Sequence, residues 1–409
     1  MKARLLLYMG MLTALLGRTA SAGPWNIEPI VGLSEEFDTN PLMLQSGYRS
    51  EEHVAALLDF PLRYDADAVE FSIRPYGRLT NSAGYASLAS NYAHLDSAAQ
   101  FTNELGSTSL QADIAKDSSL YYVGALVSGI GVGRITESAA GDWNRYLTDR
   151  SQLQFDVSWF KVNYDQSAAL SASGDNVVDY RYLSGGPTFA YSVNELDTFK
   201  VLANFGSYQS LNGITESKSE SVQLGYVHPL SEIWSLSVNA GYSQSTNSEK
   251  VLNELLYYYF DVVEYETESS KQKGTVYSAI LTRQGERVNL TASAARALQP
   301  TGFAFLSKTD SINFTGSYKQ SERWDFLLSS AWQKSASPEE TGGIAQLNIS
   351  QFDQRYFNVQ IVANWHWTPE WIISLRAIRI TQEYGPPAVT GASTGVNLDI
   401  SRHFLRTEL

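Results

Sequence analysis

The chain has 409 residues, no cysteine and a formal net charge of −13. The missing thiols exclude disulfide staples and thiolate chemistry, and the acidic balance predicts no general attraction to nucleic acid or to anionic lipid heads. Aromatic residues are plentiful (24 Tyr, 17 Phe, 9 Trp) although mean hydropathy is only −0.22, and almost no segment carries the 3.6-residue period of an amphipathic helix.

The first stretch reads as an address rather than as part of the fold. Basic residues 1–4 precede an apolar run over 5–16, and Thr19, Ala20, Ser21 and Ala22 form a small-residue cleavage site before Gly23. This predicts a secretory signal peptide over 1–22 and a single domain over 23–409. No later apolar run is long enough for a membrane-spanning helix.

Beyond it the sequence alternates with period two. Trp25, Ile27, Pro29, Val31 and Leu33 share one face of a first strand, with Asn26, Glu28 and Gly32 on the other. A polar loop runs to about Glu52 and a return strand spans 53–64. After a turn at 65–67, Val69, Phe71, Ile73 and Leu79 share one face and Glu70, Ser72, Arg74, Tyr76 and Arg78 the other. Charges at every second position suit a wet interior and speak against a dry sandwich core.

The same unit then repeats. Short turns are predicted at 65–67, 116–118, 148–150, 194–197, 230–232, 285–286, 321–323 and 368–370. Longer segments lie at 38–50, 81–107, 136–142, 165–175, 209–216, 243–273, 299–308, 335–351 and 385–392. Eight short turns with both chain ends on their side give an all-β, transmembrane, antiparallel up-and-down barrel of about 18 strands, with 16 the nearest alternative. Aromatics beside the short turns (Trp25, Tyr64, Tyr121, Tyr122, Phe199, Trp234, Trp324, Trp367 and Trp371) suggest an interfacial girdle.

No catalytic constellation stands out. The five histidines are not paired in zinc-binding spacing and no G-x-S-x-G is present, so neither an enzyme nor a cofactor is expected. The glycines at 129, 131 and 133 lack the ending of a nucleotide loop and read as a close-packed strand. The segment 243–273, with Tyr257, Tyr258, Tyr259 and Phe260, reads as a hairpin rising above the membrane. The stronger lead is charge on the inward faces: Glu28, Glu70, Arg74, Arg78, Asp113, Asp156, Lys200, Asp325, Arg376 and Asp399.

The last strand alternates Val396, Leu398, Ile400 and Phe404 against Gly395, Asn397, Asp399, Ser401 and His403. With Ser393, Gly395, Leu398, Ile400 and Phe404 it resembles the C-terminal sorting signature of Gram-negative outer-membrane proteins, although five residues follow Phe404. The resemblance implies location in the outer membrane, among its lipid and lipopolysaccharide, after recognition by the barrel-assembly machinery. At family level the chain is similar to substrate-specific porins and to barrels of exopolysaccharide export systems. This implies a passive, water-filled conduit for small solutes or an exported polysaccharide. The alternative is a closed barrel whose outer loops engage a polymer or a cell surface, with an outer-membrane hydrolase more remote. The start of the first strand close to the cleavage site predicts no N-terminal plug.

Overall fold

The structure, a computed structural model, describes residues 25–41, 50–80, 91–118, 133–165, 178–252, 265–300, 306–336, 354–384, 389–404 and 407–408. The signal segment 1–22, Tyr121 and Tyr122, glycines 129 and 131, the aromatic run 257–260 and most of the predicted long connections lie outside the described residues.

Eighteen antiparallel strands close into one barrel. They are β1 (Trp25–Ile27 and Ile30–Asp38), β2 (Glu51–Asp59 and Leu62–Ala66), β3 (Val69–Thr80), β4 (Tyr92–Asn103), β5 (Gly106–Ser118) and β6 (Gly133–Thr148). Then come β7 (Ser151–Tyr164), β8 (Tyr180–Ser192), β9 (Thr198–Ser210), β10 (Thr215–Pro229), β11 (Trp234–Leu252) and β12 (Tyr265–Gln284). The ring is completed by β13 (Val288–Pro300), β14 (Leu306–Lys319), β15 (Trp324–Ala336), β16 (Gln354–His366), β17 (Trp371–Tyr384) and β18 (Val389–His403 and Thr407–Glu408). Each strand pairs with its sequence neighbours, and β18 pairs with β1 from Ile30↔His403 to Asp38↔Gly395. Proline accounts for two of the three interruptions: Pro29 and Pro61 cannot donate to a ladder, but Pro29 O accepts from Phe404 N at 2.9 Å and Pro61 O from Glu28 N at 3.3 Å.

Period-two patterning sets which side is wet. Leu79 and Leu224 are 65% and 68% exposed on the outside, whereas Arg78 is 7% exposed on the inside. An apolar outer face around a polar interior is the pattern a barrel needs in lipid.

One short turn falls elsewhere than predicted. Residues 116–118 are not a turn, because Lys116 and Asp117 continue β5 opposite Ile135 and Arg134. The turn lies at Glu104 and Leu105, where Asn103 Oδ1 accepts from Leu105 N at 2.9 Å. Accordingly 92–103, read as loop, is β4, and 136–142 is the middle of β6. Their outward positions hold Ala93, Ser97, Ala99, Glu137, Ala139 and Gly141, so that only Leu95 and Phe101 in this part of the outer face are large and apolar. Two other predicted connections shrink. Residues 209–216 form a tight turn around Gly213 at φ 71°. Within 243–273 the strands stay paired from Ser243↔Gly274 to Leu252↔Tyr265, as an extended hairpin.

At the loop end the β13–β14 hairpin leaves the wall. The β12–β13 pairing stops at Tyr277↔Arg296. Leu306, 1% exposed, packs with Val162, Tyr164, Tyr180, Tyr182 and Tyr208 on the inward faces of β7–β9. Those strands lie several positions away around the ring, so the hairpin reaches across the lumen.

Gly106 adopts φ +157°, and a Cβ there would stand 2.0 Å from Asn144 O. Gly106→Val should therefore destabilise the barrel by about 2 kcal/mol or more, read as a lower urea midpoint for loss of the compact band on unheated gels.

Candidate conduction path

The ten charged residues singled out from sequence all lie on the inward face, spread along the path rather than gathered at one point. Arg78 is the most enclosed. Its guanidinium donates to Glu36 and, at 3.4 Å, to Ser34 Oγ, and Glu36 also meets His53 Nε2 at 3.2 Å. Asp399 stands opposite Ser34 and Ser374 and feels the charges of Arg376 and Arg78. Arg74 grips Asp59 as a fork, with Nε to Oδ1 at 2.9 Å and Nη2 to Oδ2 at 2.6 Å. Nearer the turns, Arg63 donates to Asp65 at 2.7 Å and to Glu70 at 3.3 Å. Glu28, exposed, lies by the same turns.

Asp113 faces Asp96 across β4–β5, and His94 Nδ1 lies 3.6 Å from Asp113 Oδ2. The Tyr76 ring stacks on His94 at 4.7 Å. His94, Asp96 and Asp113 each offer one ligand atom within 4.8 Å of the others, a spacing that a divalent cation can bridge with small adjustments. Asp156 faces Asp142 across β6–β7, with Ser109 Oγ 3.3 Å from Asp142 Oδ2. Asp325 accepts from Asn364 Nδ2 at 2.6 Å and lies 2.7 Å from His366 Nε2. Lys200 faces Ala190 and Gly225, with no ion pair among the described residues.

Sequence patterning did not single out Glu36, His53, Asp59, Arg63, Asp96, Asp117, Arg134 or Asp142. Their parity was available, but pairing across strands depends on register. Arg134 and Asp117 show this best: they bond at 2.7 and 3.0 Å with side chains only 5% and 3% exposed.

The arrangement has an electrostatic consequence. Arg63, Arg74, Arg78 and Arg134 are tied to carboxylates, whereas Asp96, Asp142 and Asp156 have no arginine or lysine ion-pair partner among the described residues. The path is left with surplus negative charge. Below the inward-reaching hairpin a cavity of about 270 Å³ is lined by Asp156, Tyr182, Thr188, Asn204, Ser221 and Val276, among others.

Aromatics cluster on the outside by the turns. Trp25 meets Tyr64 and Phe71 at 5.4 and 5.8 Å, and Trp324 meets Trp365 at 6.1 Å. Arg402, the one charge on the outer face of the terminal strand, donates to Glu370 at 3.1 Å and lies over Trp371 and Phe404.

No family model and no curated protein matches the chain. Among solved structures it is similar to the siderophore receptor PiuA from Acinetobacter baumannii (9% identity, 95% of this chain and 82% of that one, TM-score 0.48). It is also similar to a BenF-like porin from Pseudomonas fluorescens Pf-5 (9%, 95% and 99%, 0.45) and to Pseudomonas aeruginosa OccK2 in complex with glucuronate (9%, 93% and 98%, 0.43). The strand pairing, and not these similarities, defines the fold.

Two measurements probe these contacts. Asp117→Ala strands the Arg134 charge and should cost about 3–5 kcal/mol, whereas Asp117→Leu with Arg134→Met should be near neutral; urea midpoints compare them. In the turn before β9, hydrogen bonds from Tyr226 Oη (2.5 Å) and Asn194 Nδ2 (2.7 Å), then His228, hold the Asp197 carboxyl below its usual range. A depressed carboxylate stabilises the fold above its unfolded value, about 3.9, and loses that contribution as pH falls through the folded value. The stability difference between wild type and Asp197→Asn should thus be full at pH 6 and shrink below about pH 4.

Proposed function

We propose that the protein is a passive, non-enzymatic conduit of a Gram-negative outer membrane, carrying small hydrophilic solutes and favouring cations. The observation that carries this reading is a closed 18-strand ring with charge on its inner face and lipid-compatible apolar residues on its outer face. Rings of this size leave an aqueous channel unless something fills them.

The cation preference follows from pairing. Arginines locked to Asp59, Glu36 and Asp117 are neutralised, so the carboxylates without a basic partner set the field along the path. The hairpin that brings Leu306 against Tyr180, Tyr182 and Tyr208 narrows the loop end. That favours small solutes over an exported polysaccharide. The seam strand β18, with its sorting-like pattern, is the segment we assign to recognition by the barrel-assembly machinery.

Purified protein in planar bilayers should give stepwise currents, and under a KCl gradient the reversal potential should carry the sign of cation preference. Asp142→Asn with Asp156→Asn should lower the cation-to-anion permeability ratio by about twofold. Correctly folded protein that passes no current would overturn the conduit and support the closed, loop-engaging barrel.

A further inference from the structure

Net charge hides a segregation of sign. At one level of the outer face stand eight basic residues, Lys116, Lys161, Arg181, Lys218, Lys273, Lys334, Arg355 and Arg379, with Lys250 and Lys271 above them and Arg145, Arg283 and Arg402 nearer the turns. Several have exposed apolar neighbours on the same face of their strand, such as Ile114 beside Lys116, Leu183 beside Arg181 and Leu375 near Arg379, whereas Lys218 stands between Glu216 and Glu220. Each of the eight lies eight to eleven residues along its strand from the short turns. With tilted strands that places all of them about 25 Å above the turns, at the upper limit of a barrel's apolar band.

This belt spans β5 to β17. Glu137, Glu220, Asp310 and Glu383 share its level; Asp310 is held by Arg296 at 2.5 Å, and Glu383 lies 3.6 Å from Arg355. Among the described residues Lys116, Lys161 and Lys273 form no ion pair, while Lys218 meets Glu216 at 3.0 Å with both side chains largely exposed. The sector from β18 through β4 differs. Among the described residues it has no outward lysine or arginine at this level, only Glu35 and Glu52 among Phe37, Val54 and Leu79.

We propose that the belt binds the phosphoryl groups of a phosphorylated glycolipid in the leaflet at the loop end, over β5–β17 and not over the seam. The inference rests on the outer-membrane reading above. Basic side chains at the boundary of the apolar band meet lipid phosphates where water is scarce, and the aliphatic stems of lysine and arginine lie along the greasy wall below. Arginine offers a fork to phosphate and lysine a point charge. The acidic interior does not oppose this, since the wall and salt separate it from the outer face.

The test uses the full-length barrel in detergent, with bound lipid counted by native mass spectrometry. Its probes are bis-phosphorylated lipid A, the same lipid without phosphates, and phosphatidylglycerol. Lipid A should bind at least tenfold more tightly than its dephosphorylated form and more tightly than phosphatidylglycerol. Lys116→Glu, Lys161→Glu, Arg181→Glu and Lys218→Glu together should abolish the difference, and the same four changed to Gln should weaken it in variants with unaltered compact gel migration. Lys200→Glu, on the inner face, should leave it intact. Equal binding of lipid A with and without phosphates, equal binding of phosphatidylglycerol, or full retention in the Gln variant would overturn the proposal. Because no current is read, a barrel that conducts but ignores lipid A refutes this inference alone. One that binds lipid A but never conducts refutes only the conduit.

Discussion

In hydrocarbon an unpaired backbone amide costs several kcal/mol, so a sheet there must have no edge. For this chain that requirement falls on the meeting of β1 and β18. From Ile30↔His403 to Asp38↔Gly395 the ladder is regular. Below it the register shifts by one residue, and Asn26 and Ile27 pair with Glu408 and Thr407. Thr407 and Glu408, which have no place in the sorting-like pattern, thus belong to the ladder. A terminal strand ending at Phe404 would leave the lower part of β1 paired on one side only. The seam is also where polar contacts bind the first strand to the last: Ser393 Oγ donates to Asp38, and Thr394 N donates to Thr39 Oγ1 at 2.9 Å.

The barrel was legible because both of its determinants are local. Alternation in a stretch such as 69–80 needs no knowledge of any other strand, and turns such as 194–197 or 368–370 advertise themselves by polar, turn-forming residues. Reading failed around 81–142 for the same reason. Where most outward positions are alanine, serine and glycine, with a large apolar residue only at Leu95 and Phe101, a lipid-facing strand looks like a loop. The strand count nonetheless agreed, because a missed strand at 92–103 was offset by a turn misplaced at 116–118. Parity put individual charges on one face, but their pairing depended on register. Nothing in the spacing of Asp117 and Arg134, or of Glu36 and Arg78, shows that they meet.

The inner and outer faces solve different electrostatic problems. Inside, guanidinium forks hold carboxylates from neighbouring strands, which stiffens the wall and removes most of its positive charge from play. Outside, lysines and arginines stand mostly apart from one another at one level. A chain of formal charge −13 can therefore be acidic along its axis and basic around its rim. Whole-chain charge describes neither surface.

The inward lean of the β13–β14 hairpin has a consequence for its neighbour. Among the described residues, 267–276 of β12 pair with β11 and with no strand on their other side. That leaves a free row of amides and carbonyls above the apolar band, open to water but also to any extended chain that could add a strand. Glu266 and Glu268 share one face of this ribbon, and Lys271 and Lys273 share the other. Charged side chains on both faces make it a poor template for a second copy of itself, so the ribbon can stay solvated without drawing barrels together edge to edge.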